Sequence, residues 1–481
     1  MNIVFIASEA SPLAKTGGLA DVVGALPRAL MNAGHHVTVI LPFYRRELYK
    51  NNIVATALDQ SVEMWADGVQ RHCPLHEVRL NGLRYLLIEQ DDLFNREGVY
   101  GPAGGAYEDN LLRFVLFDRV ALEVGANLGE PIDVLHCHDW QTGLIPLLLK
   151  TQYQHHANIA GAKTVYTIHN LAYQGVFPVL WLHRLGLPSH HFHLGGLEFH
   201  GQINCMKAGI AYADAITTVS PTYAREILTP EYGCQLEGFL HHHVERLSGI
   251  VNGLDVEHWD PENDVVIKEN YGASNMAGKA VCKIDLQQHC GFSVAEDIPV
   301  LSIISRLADQ KGIDLLISNV GRWMARGYQL AVLGSGDLHS EHVLSSLAAE
   351  HGGNMYFYRG FDEALARRIY AGSDIFLMPS RFEPCGLGQL MAMRYGTVPV
   401  VRSTGGLCDT VVDYPSGKQQ GTGFHFADAH PDAFDAAVES AVDAFRNPTA
   451  WSRIRTRAVK RDSTWESSAQ AYVQCYESLI D

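Results

Sequence analysis

Apolar residues in this chain fall into short β-rich runs separated by amphipathic stretches of helix length. In the first half, runs at 2–8, 37–42, 132–137, 163–168 and 215–219 predict strands, and 21–32, 111–125 and 202–213 predict helices between them. That alternation is the rhythm of a parallel sheet with helices on its faces. It restarts at 299–305 and runs through 329–334, 354–359, 374–379 and 397–401, predicting a second domain of the same kind. The segment Ser248 to Asp255 carries an Asn-Gly pair, the mark of a tight turn, and is the candidate hinge. A terminal amphipathic helix is predicted over 465–480. The fold class is therefore α/β, with two doubly wound Rossmann-like domains facing each other across a deep cleft. In such sheets ligands bind at the C-terminal ends of the strands, so that cleft is the expected active site.

Composition narrows the partners. The chain has 481 residues, too many for one ordinary core, and its 47% hydrophobic content is that of a folded protein throughout. Asp and Glu outnumber Lys and Arg by 53 to 37, so the long-range field repels phosphodiester polymers and no nucleic-acid partner is expected. Net charge is screened beyond about 8 to 10 Å, so a small anion can still be held by a few local cations and backbone N–H groups. No run of about 18 apolar residues is present, so no membrane partner is expected. The N-terminal apolar stretch is too short for a signal peptide, lacks a basic flank and is followed by acidic Glu9. Nine cysteines, odd in number and without framework spacing, suit a reducing compartment, and the expected location is cytoplasmic.

The candidate chemistry sits just past the predicted strands. Lys15-Thr-Gly-Gly-Leu-Ala-Asp21 joins the first strand to the first helix. Gly17 and Gly18 admit close approach of a ligand, the helix start offers unpaired N–H groups, and Lys15 adds a charge; the combination suits a phosphate. A flexible turn with a solvated lysine is the plainer alternative. His136-Cys-His-Asp-Trp140 ends a strand and puts Asp139 at the cleft, where it can accept from sugar hydroxyls. His136 and His138 can instead be read as ordinary packed residues, with metal ligation the lesser alternative. Thr167-Ile-His-Asn170 places His169 first into a loop. Ser305-Arg-Leu-Ala-Asp-Gln-Lys311 brings Arg306 and Lys311 toward the same cleft from the second domain, unless both are solvated charges at a helix entry. Ser380-Arg-Phe-Glu-Pro-Cys-Gly-Leu-Gly388 puts Glu383 ahead of a helix expected to start near Cys385, whose first N–H groups suit negative oxygens. A surface acid and a buried small thiol are the alternative there. No histidine partner makes Cys385 a nucleophile.

Taken together, Lys-Thr-Gly-Gly-Leu, His-Asn-Leu-Ala-Tyr-Gln-Gly, Val-Ser-Pro-Thr-Tyr-Ala-Arg-Glu, Ser-Arg-Leu-x-x-Gln-Lys-Gly, Pro-Ser-Arg-Phe-Glu-Pro-Cys-Gly-Leu and Arg-x-Thr-Gly-Gly-Leu-x-Asp-Thr-Val resemble the bacterial glycogen synthases and plant starch synthases, in order and over nearly the whole chain. The resemblance implies a GT-B fold and retaining transfer of glucose from ADP-glucose to the non-reducing end of an α-1,4-glucan such as glycogen, without metal or other cofactor. The implied domains are 1–248 on the acceptor side, 249–459 on the donor side, and a helix segment 460–481 returning to the first. It implies donor contacts at Lys15, Gly17, Gly18 and Asp21, and a glucose pocket lined by Asp139 and His169. Arg306 and Lys311 are implied to grip the diphosphate, and Glu383 with the backbone of Cys385, Gly386, Leu387 and Gly388 to meet glucose and distal phosphate. Phe361 would stack on the nucleobase, and Tyr100 would be an acceptor-side aromatic. Two positions depart from the family pattern: Gly388 stands where threonine is common and Phe361 where tyrosine is common. Two other classes fit part of the pattern, a non-catalytic sugar-binding protein and a metallohydrolase built on His136 and His138.

Overall fold

The computed structural model describes residues 1–102, 105–414 and 420–480, so 103–104, 415–419 and the last residue of the 460–481 segment lie outside the described residues. The chain divides into two compact units, Met1–Val219 with Ala224–Gly253 and Trp465–Asp481, and Ser220–Tyr223 with Leu254–Thr464. The main crossing falls at 253/254, five residues beyond the predicted one. A four-residue piece of the Val-Ser-Pro-Thr-Tyr motif belongs to the second unit.

The first unit is built on a nine-stranded sheet. Its strands run in the order Leu247–Gly249, Ala215–Thr218, Lys163–Ile168, Val134–His138, Asn2–Ile6, His36–Pro42, Leu83–Ile88, Val69–Leu80 and Thr56–Ala66. The first seven are mutually parallel. The inner ones are largely apolar, as strands buried on both faces must be, while Leu247–Gly249 at the edge is only partly buried. The last two are antiparallel, and neither they nor Leu83–Ile88 and Leu247–Gly249 were predicted. Each tight connection is a two-residue turn, Asp67-Gly68 and Asn81-Gly82, with all four residues at positive φ, the twist that joins antiparallel strands. The segment 202–213, predicted as one helix, is a strand at Gln202–Asn204 followed by a helix at Cys205–Tyr212, with the Asn204 side chain capping Lys207 N.

The helix Gly18–Asn32 buries Leu19, Val22, Val23, Leu26 and Leu30, one face at helical spacing. Beside it lies the helix Trp465–Ile480, whose Trp465, Tyr472 and Tyr476 are buried in the same cluster as Phe5, Leu26 and Val39. The last helix of the chain thus completes the core of the first unit.

The second unit holds a six-stranded, fully parallel sheet ordered Met355–Arg359, Gln329–Gly334, Val300–Ile304, Ile375–Met378, Val398–Arg402, Phe424–Phe426. Numbered along the chain this is 3-2-1-4-5-6, the doubly wound order with its switch point between the first and fourth strands. The first unit repeats it, since Asn2–Ile6 and Val134–His138 are its first and fourth parallel strands. Among the described residues no helix is long and apolar enough to cross a membrane.

Removing the Tyr472 ring should leave a cavity under the first unit's sheet. Tyr472→Ala is expected to destabilise that unit by about 3 to 5 kcal/mol, a drop of roughly 6 to 20 °C in its calorimetric midpoint. The second unit's transition should stay where it is.

Candidate active site

In the second unit the switch point lies between the ends of Val300–Ile304 and Ile375–Met378, and the chain leaves those ends through two loops that carry the predicted charges. Lys311 Nζ lies 2.6 Å from Glu383 Oε2, and Ser380 Oγ donates to the same oxygen at 2.9 Å. Glu383 is buried, at 5% exposure, while Lys311 keeps its ammonium partly open. Backbone proximity makes the pair possible. Gly312 is left-handed at φ +64°, and a Cβ there would lie 2.1 Å from the Pro379 carbonyl oxygen. No other residue fits both demands. The two loops are then stitched by Arg381 N donating to Gln310 O at 2.8 Å and by Arg381 pairing with Asp309 and Asp314. Behind them runs Thr404-Gly-Gly-Leu407, where Cβ atoms on Gly405 and Gly406 would meet the carbonyl oxygens of Glu383 and Cys385 at 1.9 and 2.4 Å. Ser220 Oγ caps Pro384 O at 2.6 Å from another side.

Arg306 projects to solvent, and its guanidinium has no partner among the described residues. Its turn is held by Leu307 N donating to Ser335 O and by Asp337 N donating to Leu307 O, so the Gly-rich Val332 to Asp337 segment is its support. Phe361 is 73% exposed at the end of the edge strand, a free ring face. The helix after Glu383 begins at Gly388, three residues later than predicted, because Gly386 is left-handed and interrupts the turn. Cys385, Gly386 and Leu387 therefore lie in the loop. At Gly388 a Cβ would press on the Phe376 ring at 3.1 Å, so this chain's Phe376 leaves little room for the threonine common at that position.

In the first unit two carboxyls organise the switch point. Glu9, which sequence reasoning used only as a charge near the N-terminus, is buried at 3% exposure. It accepts from Thr16 N (2.5 Å), Thr16 Oγ1 (2.8 Å), Gly17 N (3.3 Å) and the Tyr100 hydroxyl (2.7 Å). The amides of Thr16 and Gly17 are thus turned inward onto a carboxylate and not outward to a phosphate, correcting that expectation. The amide of Gly18, the first residue of the helix, has no partner among the described residues. A Cβ on Gly17 or Gly18 would meet nothing within 4 Å, so both leave open space. Lys15 pairs with Asp21 at 2.6 Å on the surface, an interaction of about 0 to 1 kcal/mol that a ligand can displace. Tyr100 bonds Ser8 Oγ as well as Glu9, so any acceptor contact it makes is through its ring.

Asp139 follows the fourth parallel strand with φ +54° and ψ −173°, close to a region reserved for glycine, at a cost on the order of 1 to 3 kcal/mol. Its carboxylate accepts from the backbone N–H of His169 at 2.7 Å and of Asn170, which fixes the start of the next loop. Burial nevertheless lifts its pKa to about 7, with the Glu9 charge adding to the rise. His169 is buried and pushed down to about 3 by desolvation. It takes His138 Nδ1 on its Nε2 at 3.0 Å. His136 is engaged on both nitrogens, by Tyr476 OH at 2.8 Å and Thr167 Oγ1 at 2.6 Å. The metallohydrolase alternative finds no support here: His136 has no nitrogen left for a metal, and no cluster of three His, Cys, Asp or Glu among the described residues is placed to hold one.

Two Rossmann-type units, each gathering charged groups at its switch point, define a glycosyltransferase of the GT-B class. Residues 2–242 match the starch synthase catalytic domain and 291–454 the glycosyl transferases group 1. The chain is 45% identical over 481 residues to glycogen synthase 2 of Geobacter metallireducens and 46% over 484 residues to the glycogen synthase of Anaeromyxobacter sp. Each alignment covers 100% of this chain and 99% of the relative. Among solved structures, the catalytic domain of starch synthase IV from Arabidopsis thaliana, bound to ADP and acarbose, matches with a TM-score of 0.93 at 34% identity, over 100% of this chain and 99% of that one. Sucrose-phosphate synthase from Thermosynechococcus elongatus, 18% identical with a TM-score of 0.58, shares the fold. The chain belongs to the glycogen synthase and starch synthase family, and its activity is that family's hexosyl transfer in glucan synthesis. The sugar-binding alternative is set aside by these full-length matches.

An unfolded aspartate ionises near about 3.9, whereas folded Asp139 does so at about 7. Between those values the folded chain holds a proton the unfolded chain has lost, so this group's stabilisation, complete below the lower value, disappears as pH rises through the upper one. Asp139→Asn keeps an acceptor and never ionises. Its melting temperature relative to the parent should therefore climb between pH 4 and pH 8; a flat difference would show an ordinary carboxylate.

Proposed function

We propose that the chain transfers glucose from ADP-glucose to the non-reducing 4-hydroxyl of an α-1,4-glucan with retention, and that the Lys311–Glu383 pair marks where the donor is held. The single supporting observation is that pair, 2.6 Å apart at the second unit's switch point, where this fold class binds nucleotides. The Arabidopsis relative bound to ADP supports an adenine nucleotide as the donor's base.

Breaking the bond from the anomeric carbon to the phosphate oxygen leaves negative charge on ADP and positive charge on the sugar ring. Lys311 and the uncommitted guanidinium of Arg306 stabilise the first. On the glucose, Glu383 accepts from hydroxyls, with Ser380 and Lys311 fixing its rotamer. Cys385, Gly386, Leu387 and Gly388 supply backbone groups to glucose and phosphate, and Phe361 lies against the base. From the first unit, Asp139 and His169 contact the glucose, Lys15, Gly17, Gly18 and Asp21 the donor, and Tyr100 the acceptor. The acceptor oxygen attacks on the face the phosphate leaves, and its proton passes to that phosphate. Because side-chain cations carry the leaving-group charge, no metal or organic cofactor enters. None of the nine cysteines is joined in a disulfide, in keeping with a cytoplasmic location.

Lys311→Ala should lower kcat on the order of 100-fold, since a preorganised charge removed from a developing anion has effects of about that size. Turnover within a few-fold of the parent would take Lys311 out of the mechanism. Exhaustive dialysis against EDTA should leave glycogen extension from ADP-glucose unchanged, and UDP-glucose should be the poorer donor in the same assay.

A further inference from the structure

The histidine next to the substrate is only as useful as the proton it presents, and the structure contains the group that sets it. His138 and His169 end or follow adjacent parallel strands, with ring centroids 5.3 Å apart and Nδ1 of His138 3.0 Å from Nε2 of His169. His138 is fully buried and His169 is 9% exposed. Burial holds both far below the ordinary imidazole range, so both are neutral. In a pair of neutral imidazoles one ring must donate and the other accept.

The far nitrogen decides which. His138 Nε2 is buried and has no hydrogen-bond partner among the described residues. A buried N–H without an acceptor is costlier and rarer than a bare acceptor lone pair. The proton of His138 therefore sits on Nδ1 and is donated to His169 Nε2. Nε2 of His169 is then an acceptor, and its own proton must lie on Nδ1.

We propose that His138 is a positioning residue that locks His169 as its Nδ1–H tautomer, making His169 a hydrogen-bond donor to a ligand oxygen and not a proton acceptor. This rests on the reading of His169 as a glucose contact. A half-turn of the His138 ring would put a carbon where Nδ1 now meets His169 Nε2, and the plane of the ring is held by its neighbours. The ring stacks on Phe5 at 5.3 Å and 22°, and on His136 at 4.2 Å and 30°. His136 is itself clamped between Tyr476 and Thr167, and Thr167 Oγ1 bonds Thr217 Oγ1 at 2.6 Å. A hydroxyl on the terminal helix thus supports, through two rings, the face His169 turns toward the sugar.

The test combines turnover with a direct reading of the proton. His169→Ala should lower kcat/KM for ADP-glucose by about 10- to 100-fold, the scale of a misplaced substrate; an unaffected enzyme would overturn both the glucose-contact reading and this proposal. With that loss in hand, His138→Leu should lower kcat about 10-fold, and His138→Asn, which restores an N–H near the Nδ1 position, should recover most of it. Placed in the His169→Ala background, His138→Leu should change nothing further. An equal loss there, or no rescue by asparagine, would reduce His138 to a packing residue and overturn the proposal while leaving the role of His169 intact. In the unmutated protein, two-bond proton–nitrogen correlations on 15N-histidine label should find His169 protonated on Nδ1. A proton on Nε2 overturns the proposal whatever the variants do.

Discussion

Close backbone approach at the ends of parallel strands is the constraint on which the chemistry of the second unit depends. Glu383 and Lys311 are 72 residues apart, and their charges meet because the chain has no side chain at the points where the loops cross. Gly312 lies against Pro379, while Gly405 and Gly406 lie against the loop from Glu383 to Cys385. A methyl group at any of the three would push apart groups that must be held to within a fraction of an ångström. The glycines of two separate motifs thus build one rigid floor, and the charged pair stands on it.

The first unit reaches order by another route. Its loops are tied to buried carboxyls: Glu9 gathers Thr16, Gly17 and Tyr100, and Asp139 gathers the amides of His169 and Asn170. Both carboxyls are raised above the ordinary carboxylate range by burial, and Asp139 adds a strained backbone. These are unfavourable local choices of the kind that cluster at functional sites, supported by the unstrained core beneath.

Much of this was legible in the residue pattern. The parallel strands announce themselves as apolar runs, and Gln329–Gly334 and Lys163–Ile168 begin and end where periodicity puts them. The order of the motifs identified the family. What stayed hidden has physical reasons. The antiparallel strands Thr56–Ala66 and Val69–Leu80 are half exposed and rich in polar residues, so they carry no apolar run; Asp67-Gly68 and Asn81-Gly82 were the available signal. Glu9 looks like any surface acid until the loop folds over it. The helix start at Gly388 depends on a left-handed glycine two residues earlier, which propensity does not show. The meeting of His138 with His169 follows from strand order, which no spacing along the chain reveals.

The terminal helix Trp465–Ile480 has a consequence for how the molecule is made. Its tyrosines are part of the first unit's core, yet the ribosome delivers them after all of 254–464. The second unit has its complete sheet in hand and is able to fold while the first still exposes the apolar groove meant for Tyr472 and Tyr476. The first unit, begun first, must therefore wait for the end of the chain before its core can close. A released chain lacking those last residues would keep that groove open, an apolar surface of the kind chaperones recognise.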